Sequence, residues 1–174
     1  MLSGCTSSTD RLTSEMLPGP VPPGATYVDV PATAPPAPDG TITLSNGDSI
    51  QLASLSKNRP VVVIFFEPWC EQCAERQEDI NDLAEEFDDA VTFVSVAQAA
   101  SVDEVSAYAR EHEVDYLIGT DTSGDLWESY GVVEAPFTVM IGEGSTLLRG
   151  WRGILDDLDG AIGAILVSEM PLRE

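Results

Sequence analysis

The chain has 174 residues, 43% of them hydrophobic, which suits one globular domain with a tail. It sets 30 acidic residues against 8 basic ones, a formal net charge of -22, which argues against a nucleic-acid partner because a polyanion needs a basic face. Three cysteines and a single histidine, His112, are too few for a disulfide-stapled miniprotein and cannot assemble a zinc finger or ribbon, so no metal is expected.

The chain opens with MLSGC, which resembles the end of a bacterial lipoprotein signal, with Leu2, Ser3 and Gly4 before a lipidated cysteine, Cys5. A basic segment and an apolar stretch precede such a box, so the expectation is a truncated leader upstream. From about Thr6 to Asp39 the sequence is rich in Ser, Thr, Pro, Gly and Ala, including PGPVPPG and APPAP. Proline fixes φ and lacks an amide donor, so this stretch is read as a disordered tether without helix or central strand. The division expected is residues 1–39 as lipoprotein-like start and tether, then a folded domain over 40–174. No apolar run approaches the roughly 20 residues of a membrane-spanning helix, so the folded part is expected to be soluble.

The folded part begins with TITL and SIQL, which alternate apolar and polar residues around SNGD and predict a hairpin. PVVVIFF then reads as a central parallel strand buried on both faces. After EPWCEQC, the residues Cys73, Gln77, Ile80, Ala84 and Phe87 recur at helical spacing. VTFVSVA is a second buried strand, and the Ser-x-x-Glu of SVDE predicts a capped helix ending near His112. DYLIG is a short strand, DTSGDLWESYG a turn and short helix, and PFTVMI and TLLRGWR a strand pair around GEGS. A last amphipathic helix is predicted from about Leu155 to Glu169. Strands alternating with helices and ending in a hairpin argue for an α/β sandwich with a mixed sheet.

Cys70 and Cys73 fall where a strand hands over to a helix, close enough to form a reversible disulfide. Unpaired amides at a helix start favour a thiolate over the free thiol, whose pKa is about 8.5, which makes Cys70 the nucleophile. Cys73, one turn inside, is placed to resolve a mixed disulfide. The competing reading is a structural disulfide or two inert thiols, but closing so short a loop removes little chain entropy.

PVVVIFFEPWCEQC resembles the strand and active site of the thioredoxin superfamily, and YGVVEAPFTVMI resembles its segment with a cis-proline before a core strand. The closer similarity is to TlpA/ResA-type membrane-tethered extracytoplasmic oxidoreductases, related to the cytochrome c maturation thioredoxins. The matching residues after WCEQC are Asp121, Gly124, Leu126, Tyr130, Gly131, Val132, Ala135, Pro136 and Thr138. The resemblance, over about residues 35–168, implies a thioredoxin-like fold: a mixed central sheet flanked by helices, with an N-terminal β-hairpin. It implies redox roles for Cys70 and Cys73, a flanking aromatic in Trp69 and a cis Ala135-Pro136 bond beside the thiols. Four features depart from or qualify the pattern. Ile64 stands where cytoplasmic thioredoxins bury an acid, and no proline precedes Cys73. Glu71 matches the acid between the cysteines of ResA-type proteins, and Glu67 replaces a residue that is usually small.

His112 is read as a helix-end residue, and Trp127, Tyr130 and Trp151 as packing aromatics. The function expected is a lipid-anchored, extracytoplasmic reductase of protein disulfides, with cytochrome c maturation a client pathway. It would act as a monomer with no cofactor beyond its own disulfide, fed by a membrane or extracytoplasmic electron donor. The alternatives are a peroxiredoxin-like peroxidase, although PxxxTxxC is absent, a thiol-based copper chaperone, and a redox-inert lipoprotein. With Glu67 and Glu71 bracketing Cys70, and no basic residue between Arg59 and Arg76, a weakly stabilised thiolate and a reducing dithiol are expected.

Overall fold

The computed structural model describes residues 25–27, 33–154 and 156–168; Cys5 and most of the predicted tether lie outside the described residues. The elements, in chain order, are β1 (Ala25–Tyr27), β2 (Thr41–Leu44), β3 (Ser49–Gln51), α1 (Leu52–Leu55), β4 (Val61–Phe66), α2 (Glu71–Glu75), α3 (Gln77–Glu86) and β5 (Thr92–Gln98). They continue with α4 (Val102–Glu111), β6 (Leu117–Asp121), α5 (Asp125–Ser129), β7 (Phe137–Gly142), β8 (Thr146–Arg152), α6 (Leu158–Gly163) and β9 (Leu166–Ser168). Among the described residues no helix is long and apolar enough to cross a membrane.

The main sheet has seven strands in the order β3-β2-β6-β5-β4-β7-β8. β4, β5 and β6 run parallel, whereas β7 is antiparallel to β4 and β8 to β7. The predicted central strand is therefore parallel to one neighbour and antiparallel to the other. All six of its residues are buried, as expected for an uninterrupted β-branched and aromatic run covered on both faces. Val62, Ile64 and Phe66 face one core with α3, α4 and α6; Val61, Val63 and Phe65 face the other with α1 and α5. This is the expected thioredoxin-like fold.

The N-terminal hairpin forms as β2 and β3, and it also extends the main sheet, because β2 pairs with β6. Gly119 makes that junction possible, since a Cβ there would sit 2.5 Å from the carbonyl oxygen of Thr43. α4 begins as read, with Ser101 and Glu104 closing a capping box.

Three predicted segments differ. The helix after the cysteines is two helices, α2 and α3, meeting at Arg76, whose φ of -100° and ψ of -1° interrupt the regular turn. The final helix, expected over about 155–169, is only α6, and the chain then becomes β9. Gly160 and Gly163 are poor helix formers, and Leu166–Ser168 instead gain strand bonds. Their partner is β1, a strand inside the segment read as tether, with Ala25 opposite Ser168.

A buried polar network missed by the sequence reading ties α3, β5 and α4 to Tyr116, the residue before β6. The Gln77 amide donates to the Tyr116 hydroxyl at 2.9 Å, Ser95 shares that hydroxyl at 2.9 Å, and Tyr108 donates to the Gln77 carbonyl oxygen at 3.1 Å. Burial pushes Tyr116 up to about 12, so the network stays uncharged at ordinary pH. Tyr116→Phe is expected to destabilise the protein by about 1–3 kcal/mol, because Gln77 and Ser95 each lose a partner away from water. Urea unfolding should show a lower midpoint with an unchanged slope.

Candidate active site

β4 ends at Phe66, and the next residues, Glu67 to Cys70, turn the chain into α2, with the Cys70 amide donating to the Glu67 carbonyl oxygen at 2.9 Å. That turn makes Cys70 the N-cap of α2. Its sulfur accepts from the Cys73 amide at 3.1 Å, and the same spacing lets the two sulfurs close a disulfide with 5.2 Å between Cα atoms. The amide that contacts sulfur in the disulfide is one of the unpaired first-turn donors and would favour a thiolate on Cys70 after reduction. Cys70 is 7% exposed and Cys73 2%, so the first sulfur is the more accessible.

The second half of the site comes from β7. Phe65 faces Phe137 across the β4–β7 pair, so the chain leaving β4 runs beside the chain entering β7. Ala135 packs against the core cluster that contains both cysteines, and the Ala135-Pro136 bond is cis, as expected. No backbone hydrogen bond joins Val133, Glu134 or Ala135 to another described residue.

Asp121, Gly124, Leu126 and Tyr130 hold this edge in place. The Asp121 carboxylate accepts from the amides of Gly124 at 3.1 Å and Trp127 at 3.0 Å, fixing the start of α5. Gly124 takes φ of +79°, a conformation open to glycine at little cost. The Tyr130 hydroxyl donates to the Pro38 carbonyl oxygen at 2.6 Å, and Leu126 fills the core.

Of the expected surroundings, Trp69 is 80% exposed and Glu71 opens α2 in solvent. Glu67, read as one of two acids bracketing the nucleophile in sequence, is buried. It is 8% exposed, accepts from the Gln98 amide at the end of β5 and faces Glu104 of α4. Desolvation raises its pKa from 4.5 to about 7, the Glu104 charge adds to the rise, and the Gln98 bond opposes it. At neutral pH this acid is close to half protonated. At the position opposite Ile64, where an acid was missing, the neighbouring strand offers the neutral Ser95. His112 caps the end of α4 and packs on Tyr108, with ring centroids 4.3 Å apart and planes tilted by 42°.

The sequence reading missed Val133, which is 83% exposed. The signal was present in Val132-Val133: adjacent residues leaving a packed segment point different ways, and Val132 takes the core side.

Comparison with known proteins agrees with this geometry. The model of the AhpC/TSA family matches residues 34–152. The soluble secreted antigen MPT53 of Mycobacterium tuberculosis is 28% identical over 129 residues, covering 72% of this chain and 73% of the antigen. A secreted disulfide oxidoreductase of the same organism, described as homologous to DsbE of E. coli, superposes with a TM-score of 0.63 at 25% identity, over 72% of this chain and 96% of that one. The thioredoxin domain of a thiol-disulfide oxidoreductase from Bacteroides vulgatus gives a TM-score of 0.67 at 21% identity, over 77% and 97%. With a disulfide closed across Cys-Glu-Gln-Cys at a strand-to-helix turn of this fold, the chain is a thiol-disulfide oxidoreductase and belongs to the AhpC/TSA family.

Proposed function

We propose that the protein is a TlpA/ResA-type reductase of protein disulfides that works outside the cytoplasm, with Cys70 as nucleophile and Cys73 as resolving thiol. The observation that carries this is the Cys70–Cys73 disulfide lying beside a backbone segment, Val133 to Ala135, with free hydrogen-bonding groups. A client's extended chain can pair with such groups while its disulfide meets the sulfur of Cys70. No cofactor beyond the cysteine pair is needed for the exchange. The extracytoplasmic assignment is supported by the matched relatives described as secreted, and the lipid anchor at Cys5 by the MLSGC box and the Pro-rich tether after it. Cytochrome c maturation is a client pathway consistent with the TlpA/ResA resemblance. The family match does not favour a peroxidase here, because Val63 and Glu67 occupy the proline and threonine positions of PxxxTxxC.

The reduction potential of the Cys70–Cys73 pair tests the direction. Equilibration with glutathione or dithiothreitol is expected to place it near the reductants, about -200 mV or lower. A value near that of the strong oxidants, about -120 mV, would make the protein an oxidase.

A further inference from the structure

We propose that the surface beside the disulfide selects clients whose reactive cysteine lies in an extended segment flanked by basic and apolar residues. This deepens the proposed function and rests on Cys70 exchanging disulfides with protein clients.

Trp69 and Val133 are the exposed large hydrophobic residues among the described ones, at 80% and 83%. Both lie on the segments that the Phe65–Phe137 pairing brings side by side, one leaving β4 and one entering β7. An exposed tryptophan and valine next to a reactive sulfur offer a contact for an apolar side chain of the client. The charges around it have one dominant sign. Glu71 and Glu75 are exposed on α2, and Glu134 is exposed beside Ala135. Of the nearby cations, Arg76 is 2.7 Å from Asp156 and 3.2 Å from Asp79, and Arg152 lies 3.7 Å from Glu134. The exposed acids Glu71, Glu75 and Glu134 thus outnumber Arg152, which is paired with Glu134, in a chain of net charge -22. A lysine or arginine next to the client cysteine is attracted to this edge and a glutamate is repelled, on approach and in the mixed disulfide.

The reaction that reports this is single-turnover reduction of a peptide disulfide by the pre-reduced protein. The Cys70 thiolate attacks one peptide sulfur, the peptide S–S bond breaks and the first peptide thiol leaves. Cys73 then attacks Cys70 and releases the second. The peptide disulfide is reduced to two thiols, the protein dithiol is oxidised to the disulfide, and the two protein thiol protons end on the products.

Two symmetric disulfide peptides differing only in Lys or Glu on each side of the cysteine, with a common Leu, provide the probe. At low salt the lysine peptide is expected to react about tenfold faster or more. The ratio should approach one near 1 M salt, where the screening length is about 3 Å. Glu71→Lys with Glu134→Lys should invert the preference. Glu85→Lys with Glu86→Lys, at the far end of α3 and roughly 12 Å along its axis from Gln77, should leave it within about twofold. Trp69→Ser should slow both peptides several-fold without changing their ratio. Equal rates for the two peptides, or a remote pair that collapses the ratio as fully as the local pair, would overturn the proposed selectivity. An unchanged rate in Trp69→Ser would overturn its apolar part. Uncharged hydroxyethyl disulfide keeps the two readings apart: failure to reduce it refutes the redox function, whereas reducing it without charge discrimination refutes only the selectivity.

Discussion

Cys73→Ala is expected to turn the protein into a trap, holding clients as stable mixed disulfides on Cys70 while turnover of a protein disulfide falls by at least about a hundredfold. The attacking and resolving steps need different sulfurs. Cys70 is at the helix cap, 7% exposed, with the Cys73 amide directed at it, whereas Cys73 is 2% exposed inside the first turn. The backbone amide survives the substitution, so the contact that favours a Cys70 thiolate survives with it. Cys70→Ala leaves only the buried sulfur and should trap nothing. Unfolding does not account for such a loss. The disulfide spans a sequence separation of 3, a loop whose closure is worth only about 2 kcal/mol. Non-reducing electrophoresis of each variant after exposure to clients reads the outcome, and equal trapping by both would exchange or abolish the assigned roles.

What the sequence made legible here follows the range of the interactions. β4 is readable because six consecutive β-branched or aromatic residues have no stable position except between two covered faces. The start of α4 is readable because the capping box is complete within four residues, Ser101 to Glu104. The cysteine turn and the cis-proline segment were visible as motifs, although they meet only through the β4–β7 pairing. The features missed depend on partners remote in sequence. β9 becomes a strand because β1 lies beside it, and Tyr116 is a polar anchor only because Gln77 and Ser95 reach it from other elements. Glu67 belongs to the same class. Its place three residues before Cys70 was legible, whereas the Gln98 amide and the burial that set its protonation come from elements remote in sequence.

Glu67 gives the last expected result, a loss of stability as pH rises through neutrality that Glu67→Gln should remove. Its pKa moves from 4.5 to about 7 on folding, chiefly because the ionised carboxylate is poorly solvated there. Between those values the folded protein binds more protons than the unfolded chain, so stability falls with rising pH. The contribution is complete below pH 4.5 and is lost as the carboxyl ionises through about 7. With the group only 8% exposed, the full swing is at most about 3 kcal/mol. Glutamine keeps an oxygen for the Gln98 amide and carries no charge, so differences between wild type and variant isolate this group. Urea midpoints at about pH 5 and about pH 8 should diverge, with the variant gaining at the higher pH. The same charge is expected to act on the thiol, three residues away in the chain. Ionised Glu67 opposes the Cys70 thiolate only in the range where it is itself deprotonated, so wild-type alkylation should rise over a broadened pH range and Glu67→Gln should sharpen it and shift it lower. Exposed Glu71 is screened by water, so Glu71→Gln should lower the Cys70 midpoint by a smaller amount. Parallel stability curves for wild type and Glu67→Gln would show an ordinary solvated carboxylate. A wild-type Cys70 midpoint near about 3.5 would place the protein with the oxidants and reverse the proposed direction of electron flow.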